Sequence, residues 1–287
     1  MNVFKFGGAS VRDAKGVRNV LKVLQSTGAG RKVVVVSAMG KMTNALEEVV
    51  FEYLTKGTYT SSLQQIKEFH QVILNELFEN NSAPVYAKVK SFLEELQNFL
   101  DHNKSTRYDF VYDQVVCYGE LLSTTIVCEF LIQNGVENIW VDARNFIKTD
   151  DTYRDAQVLW PETQSAISGG IEKDRLSITQ GFIGADGNNF TTTLGREGSD
   201  YTAAIFAYCL NAESVTIWKD VPGVLNGDPR VFQDTQLLNQ ISYEEAIELA
   251  FYGASVIHPK TLQPLQRKEI PLFVKSFLKP ENNGTAV

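Results

Sequence analysis

Cysteine and histidine are scarce in this 287-residue chain, three of each, and the shortage removes several kinds of chemistry at once. Cys117, Cys128 and Cys209 have no metal-ligand spacing and stand in apolar, helix-like surroundings, so they are expected to be core thiols. Cys117 and Cys128 would lie roughly 16 Å apart along one helix, beyond the reach of a disulfide. His70, His102 and His258 are scattered, which argues against a histidine metal centre or a nucleophile–histidine triad. Basic residues are outnumbered, 27 against 34, and the formal net charge of −7 gives no electrostatic attraction to nucleic acid or to an anionic membrane. A polyanionic ligand would have to be met by a few local Lys and Arg. The longest apolar strand, Val33 to Val36, is far too short to cross a bilayer, and no charged-then-apolar leader opens the sequence; a cytoplasmic location is expected.

What is present is the alternation of an α/β protein, long enough for one large domain or two lobes. Strand-like runs occur at 2–6, 32–37, 138–141, 177–180, 214–218 and 272–274, most of them separated by helical stretches. That order predicts a mainly parallel sheet with helices on both faces. Between residues 44 and 132 the periodicity is almost purely helical, with Ile66, Phe69, Ile73 and Leu77 on one face and Val89, Phe92, Leu96 and Phe99 on another. This block is expected as an insertion serving as lid, subunit contact or added core. Gly181 to Gly198, rich in Gly, Asn and Thr, reads as a hairpin ending in a glycine-flanked loop and as the junction of two lobes. Lys279 to Val287 reads as an exposed tail or the beginning of a linker.

Three glycine loops carry the chemistry. Lys5-Phe6-Gly7-Gly8-Ala9-Ser10-Val11 joins a short apolar strand to an amphipathic helix containing Val17, Val20, Leu21 and Leu24. Such a turn offers backbone N–H groups and the positive end of a helix to a phosphate, with Lys5 adding a charge; the same residues also suit a plain strand-to-helix turn. Leu194-Gly195-Arg196-Glu197-Gly198-Ser199-Asp200 is followed by a helix from about Tyr201 that Ser199 or Asp200 is placed to cap, which leaves Arg196 unexplained. Asp220-Val221-Pro222-Gly223 and Gly227-Asp228-Pro229-Arg230 form a third loop at a strand end, where parallel sheets bind ligands. Together they suggest a site for a phosphorylated ligand and its metal.

These loops, with Gly119-Glu120-Leu121-Leu122-Ser123, Gln180 to Gly184 and Gly253-Ala254-Ser255-Val256-Ile257-His258-Pro259, resemble in order the signatures of aspartate kinases, of the amino-acid kinase superfamily. The resemblance runs from Lys5 to about Gly284. It implies a three-layer α/β/α sandwich in two lobes, an acceptor-binding lobe over about 1–194 and a nucleotide-binding lobe over about 195–287. It also implies transfer of the γ-phosphoryl group of ATP, with Mg²⁺, to the β-carboxylate of L-aspartate, the first step toward lysine, threonine and methionine. A carboxylate acceptor is already ionised at neutral pH, so the lack of a poised histidine is no obstacle.

By the same resemblance, Lys5 would contact the transferring group, with Gly7, Gly8 and Ser10 lining its path; Ser37 would hold phosphate and Thr43 aspartate. Glu120 would pair with the substrate ammonium, although taken alone it reads rather as a solvated helix glutamate and only the resemblance reverses that. Arg196 would take the α-carboxylate in a bidentate fork with Ser199 alongside, and Asp200 would organise Lys5 or the metal. Lys219, Asp220, Leu225 and Arg230 would meet the nucleotide. No residue is assigned as a metal ligand. Lys219 and Leu225 replace a threonine and a tyrosine frequent in relatives, and Ser255 replaces a lysine expected near the ATP phosphates; Lys219 or Lys260 is expected to supply that charge. A pair of regulatory domains usually follows a segment like 276–287 in the family and is not in this sequence, and a homodimer is among the assemblies the resemblance allows. The rival readings are a superfamily relative with another acceptor, such as N-acetylglutamate, glutamate or UMP, and a nucleotide-binding subunit without turnover.

Overall fold

The computed structural model describes residues 1–28, 31–80, 83–172, 174–228, 231–232, 234–251 and 257–287. Its centre is β1 (Asn2–Phe6), whose alternating side chains serve two different cores. Val3 faces one way with Val33 and Val35 of β2 (Lys32–Val36), while Phe4 and Phe6 face the other with Val34 and Val36. A five-residue strand buried on both faces belongs inside a parallel sheet, and β1 pairs in parallel with β2 and with β7 (Ser214–Lys219).

Outward on one side follow β4 (Ser177–Gln180) and β3 (Ile139–Val141); on the other, β8 (Leu272–Ser276) and β9 (Thr285–Ala286). Among the described residues this makes a seven-stranded sheet, order β3-β4-β2-β1-β7-β8-β9, parallel except for the last pair. The Phe4 face packs on α1 (Ala14–Ser26), α3 (Thr60–Leu77), α4 (Pro84–His102) and α5 (Tyr108–Gln133). Against the Val3 face lie α6 (Trp160–Gly170), α7 (Gly198–Leu210), α8 (Tyr243–Phe251) and α9 (Pro259–Arg267). Helices on both faces of the sheet make the expected α/β/α sandwich. A separate hairpin, β5 (Ile183–Ala185) with β6 (Thr191–Thr193), falls within the expected Gly181 to Gly198 stretch.

Helices α2 (Met42–Lys56) through α5 follow one another without an intervening strand, where helical periodicity was read. By length and apolar content α5 alone among the described helices is suited to crossing a membrane, yet it lies mostly buried within the fold. Its apolar surface runs all round, as a core helix requires. Four polar residues that interrupt it, Asp113, Gln114, Glu120 and Ser123, each reach backbone outside the helix.

Asp113 is fully buried and accepts from Thr193 N (2.8 Å), Thr193 Oγ1 (2.7 Å) and Arg154 N (3.0 Å), tying α5 to the hairpin. Burial pushes its carboxyl up to about 6 despite these donors. Replacing Asp113 by Ala strands all three donors, so urea unfolding of that variant should show a loss of roughly 3 kcal/mol.

The C-terminus departs from the sequence reading. Thr285 is buried, its hydroxyl receiving the Val224 N–H (2.8 Å) and donating to Leu238 O (2.6 Å), and residues 285–286 close the sheet edge as β9. A two-residue strand is too short to show a periodicity, which is why the segment read as a tail. The three cysteines are buried and unpaired, as expected.

Candidate active site

Alternation along β1 turns Lys5 to the same face as Val3, under α7, where a lysine is tolerated only with an anion beside it. Asp200, in the first turn of α7 and fully buried, places Oδ1 2.6 Å from Lys5 Nζ. Lys219, at the end of the neighbouring strand β7, brings its Nζ to 3.7 Å from Asp200 Oδ2. Burial alone would raise the Asp200 carboxyl; the charge of Lys5, then that of Lys219, holds it below its usual range. This revises the expected cap. The helix starts at Gly198, earlier than Tyr201, and neither Ser199 nor Asp200 caps it, because the Asp200 carboxylate is engaged by lysines of two adjacent strands.

The turn after β1 is held by close backbone approach. A Cβ on Gly8 would stand 2.8 Å from Gly40 O and 2.9 Å from Ala38 O, and Gly8 O accepts the Gly40 N–H at 3.0 Å. Gly7 lies against Lys5 Nζ. Ser10 turns both donors inward, its N–H to Gly7 O (2.9 Å) and its hydroxyl to Trp218 O (3.2 Å), which fastens the turn to β7. The start of α1 is capped by Asp13, which accepts from Gly16 N at 2.8 Å.

The turn after β2 sits over α5. Ser123 Oγ donates to Ser37 O (2.7 Å), and Glu120 Oε1 accepts the Ala38 N–H (3.1 Å). Close packing of α5 here requires a glycine, since a Cβ on Gly119 would lie 2.9 Å from that of Ala38. Glu120 is buried, and its second oxygen, Oε2, has no hydrogen-bond partner among the described residues. Burial drives its carboxyl up to about 8, opposed by the Ala38 N–H and by the charge of Lys5, which reaches it. A buried acceptor without a donor, within the field of a lysine, is a seat for a cationic group.

Arg196 is exposed and makes no hydrogen bond or ion pair with any described residue. Ser199 is buried, its side chain packed on Gly181 so closely that any Cβ there would collide. Thr43 lies half-buried in the first turn of α2, just past the turn that Glu120 holds. Asp220 is exposed, without a described partner, and half-buried Leu225 pairs its backbone with Leu237. Arg230 and Ser255 lie outside the described residues. Of the two lysines offered in place of the one expected at 255, Lys219 stands beside Asp200, whereas Lys260 donates to Asp155 (2.7 Å) and Leu194 O (3.1 Å), bracing the Gly195 loop. The structure thus brings together Lys5, Gly7, Gly8, Ser37, Glu120, Asp200 and Lys219, with Arg196 at the surface nearby in sequence.

Among the described residues no three of His, Cys, Asp and Glu gather into a metal cage. The donor set fits Mg²⁺ that arrives on phosphate oxygens, with exposed Asp220 as the open carboxylate. The sequence reading passed over Ser123, whose spacing of three from Glu120 was its signal, and Glu197, the one charged residue of its glycine loop left without a role.

The chain as a whole is similar to known proteins. The chain is 36% identical to the lysine-sensitive aspartokinase 3 of Escherichia coli, over 99% of this chain and 63% of the relative. It is 32% identical to an aspartokinase of Chlamydia trachomatis, over 99% of this chain and 63% of that protein. Among solved structures, E. coli aspartokinase III with aspartate and ADP superposes with a TM-score of 0.90 at 34% identity, covering 100% of this chain and 64% of its own. The chain therefore spans just under two thirds of these relatives. Isopentenyl phosphate kinase, at 15% identity and a TM-score of 0.56, shares the fold alone. The family profile matches residues 1–276, nearly the whole of the sheet and every glycine loop described above, and by it the chain belongs to the amino acid kinase family.

Proposed function

We propose that this chain is the catalytic part of an aspartate kinase, transferring the γ-phosphoryl group of ATP to the β-carboxylate of L-aspartate. The observation that carries the reading is buried Glu120, with Oε2 unpartnered, in the field of the Lys5–Asp200 pair. That combination suits a substrate with an ammonium at one end and a reacting anion at the other. Exposed Arg196 adds a fork for the α-carboxylate. We place the acceptor on residues up to about 194 and the nucleotide on 195–287, toward Lys219 and Asp220. The relatives bound to aspartate and ADP support both substrates, and a cytoplasmic setting fits the three unpaired thiols.

The β-carboxylate attacks the γ-phosphorus, the bond to the ADP oxygen breaks, and no proton need be removed from the acceptor. What the chain supplies is alignment and charge. Lys5, held by Asp200, faces the transferring oxygens, and Glu120 and Arg196 fix the two ends of the amino acid. Bound Mg²⁺ would neutralise further phosphate charge.

ADP release from MgATP should require L-aspartate and be absent with L-glutamate, N-acetyl-L-glutamate, UMP or no acceptor. Turnover with one of the others would point to a different amino acid kinase. Nucleotide binding without turnover on any acceptor would point to a binding subunit. Arg196→Ala should raise KM for aspartate by about 100-fold, with KM for ATP and the melting temperature little changed, since the side chain is exposed. Arg196→Lys should recover only part, lacking the planar fork.

A further inference from the structure

Lys260, the second residue of α9, takes no part in the reaction as described, yet three separate parts of the chain meet on its ammonium. Its Nζ donates to Asp155 Oδ1 (2.7 Å) and to Leu194 O (3.1 Å), and it lies over the Tyr201 ring, 5.1 Å from the centroid, where the ring face attracts a cation. Leu194 opens the second glycine loop, and Tyr201 stands in the first turn of α7, where that loop ends. Between them the chain closes on itself: the Gly198 N–H donates to Gly195 O at 3.0 Å, and the residues spanned are Arg196 and Glu197.

Asp155 is itself held from both sides. The Arg154 N–H is taken by Asp113 of α5 (3.0 Å) and the Ala156 N–H by Thr193 O (2.9 Å), so the backbone is fastened immediately before and after it. Its carboxylate lies directly against the Gly195 α-carbon. Gly195 adopts φ 76°, and a Cβ there would collide with Asp155 Oδ1 and stand 3.3 Å from Arg154 O. Lys260 therefore draws an exposed carboxylate and the Leu194 carbonyl together at the root of the turn. Arg196, which has no described partner of its own, leaves the surface in the direction that this turn sets.

We propose that Lys260 is a positioning residue for the acceptor: by clamping Asp155 onto Leu194 and Gly195, it holds the backbone from which Arg196 reaches the α-carboxylate. The inference rests on the kinase reading above, in which Arg196 meets that carboxylate. It gives Lys260 a role on the acceptor side, where the sequence suggested one on the phosphates of ATP. The gain is pre-organisation, since a turn already held in place is not ordered at the expense of binding.

The test measures kcat, KM for both substrates and melting temperature in Lys260→Met, Arg196→Ala and the double variant. Lys260→Met should raise KM for aspartate by about tenfold, with kcat and KM for ATP within about threefold of the unaltered chain. The melting temperature should move little, because the pairing is with an exposed carboxylate. In the Arg196→Ala background the same substitution should change KM for aspartate by less than about twofold, since the guanidinium it positions is gone. Asp155→Asn, which alters the exposed end of the brace, should raise KM for aspartate in the same direction and decides the matter should Lys260→Met fail to fold. A rise in KM for ATP in place of that for aspartate, the whole effect retained without Arg196, or an unchanged KM for aspartate in both Lys260→Met and Asp155→Asn would overturn the inference while leaving the kinase reading intact. An unaltered chain silent with aspartate would overturn both.

Discussion

Replacing Lys5 by methionine should stop phosphoryl transfer and weaken the fold together. The catalytic loss follows from removing the cation nearest the reacting oxygens, a type of change that costs about 10²–10³ in kcat. The stability loss has a separate origin. Asp200 is fully buried, and Lys5 at 2.6 Å is its tighter partner; Lys219 at 3.7 Å is left to hold it alone. Breaking one side of a buried ion pair costs about 3–5 kcal/mol, because the remaining charge is uncompensated. Lys5→Met combined with Asp200→Asn removes that charge and should recover most of the stability in urea unfolding but none of the activity. If the double variant unfolds as readily as the single one, the cost lies in packing and not in the stranded carboxylate. If Lys5→Met retains kcat, Lys5 does not face the transferring group.

Glu120 gives the second large effect, on the acceptor side. Glu120→Gln keeps the volume and removes the charge that would meet the ammonium, so KM for aspartate should rise by about 100-fold with a smaller change in KM for ATP. Its pH behaviour has a definite sign. The folded chain holds this proton up to about 8, against 4.5 for the free group. The resulting contribution to stability is complete below about pH 4.5 and is lost as pH rises through 8, on the order of 3 kcal/mol by pH 7. Glu120→Gln should flatten that decline. Binding works in the opposite sense: an ammonium on Oε2 favours the ionised form, so aspartate should release close to one proton per site at pH 7. Calorimetry in buffers of different ionisation enthalpy measures that release; a value of zero would mean that Glu120 is already ionised or does not meet the ammonium.

What could be read in the sequence was whatever lies contiguous in it. The Lys5 to Val11 turn, the strand–helix alternation and the helical run from Asn44 to Ile132 depend on local pattern, and the structure places elements there. The meeting of Lys5 with Asp200 joins residues far apart in the chain. No periodicity encodes it, and only the order of family-like motifs suggested it. Local rules misled where tertiary demands overrode them: the Asp200 carboxylate serves lysines instead of a helix end, and the Thr285 hydroxyl draws an apparent tail into the sheet. Glu197 was legible only as an oddity among glycines, since the left-handed backbone conformation it adopts is not displayed by sequence.

Trapping the product with hydroxylamine tests the central claim most directly. Chain, MgATP and L-aspartate incubated with hydroxylamine should yield aspartate β-hydroxamate in step with ADP, the mark of an acyl phosphate on the side-chain carboxylate. ADP formed without hydroxamate, or hydroxamate on the α-carboxylate, would contradict an acceptor held by Glu120 and Arg196 with its β-carboxylate turned to Lys5.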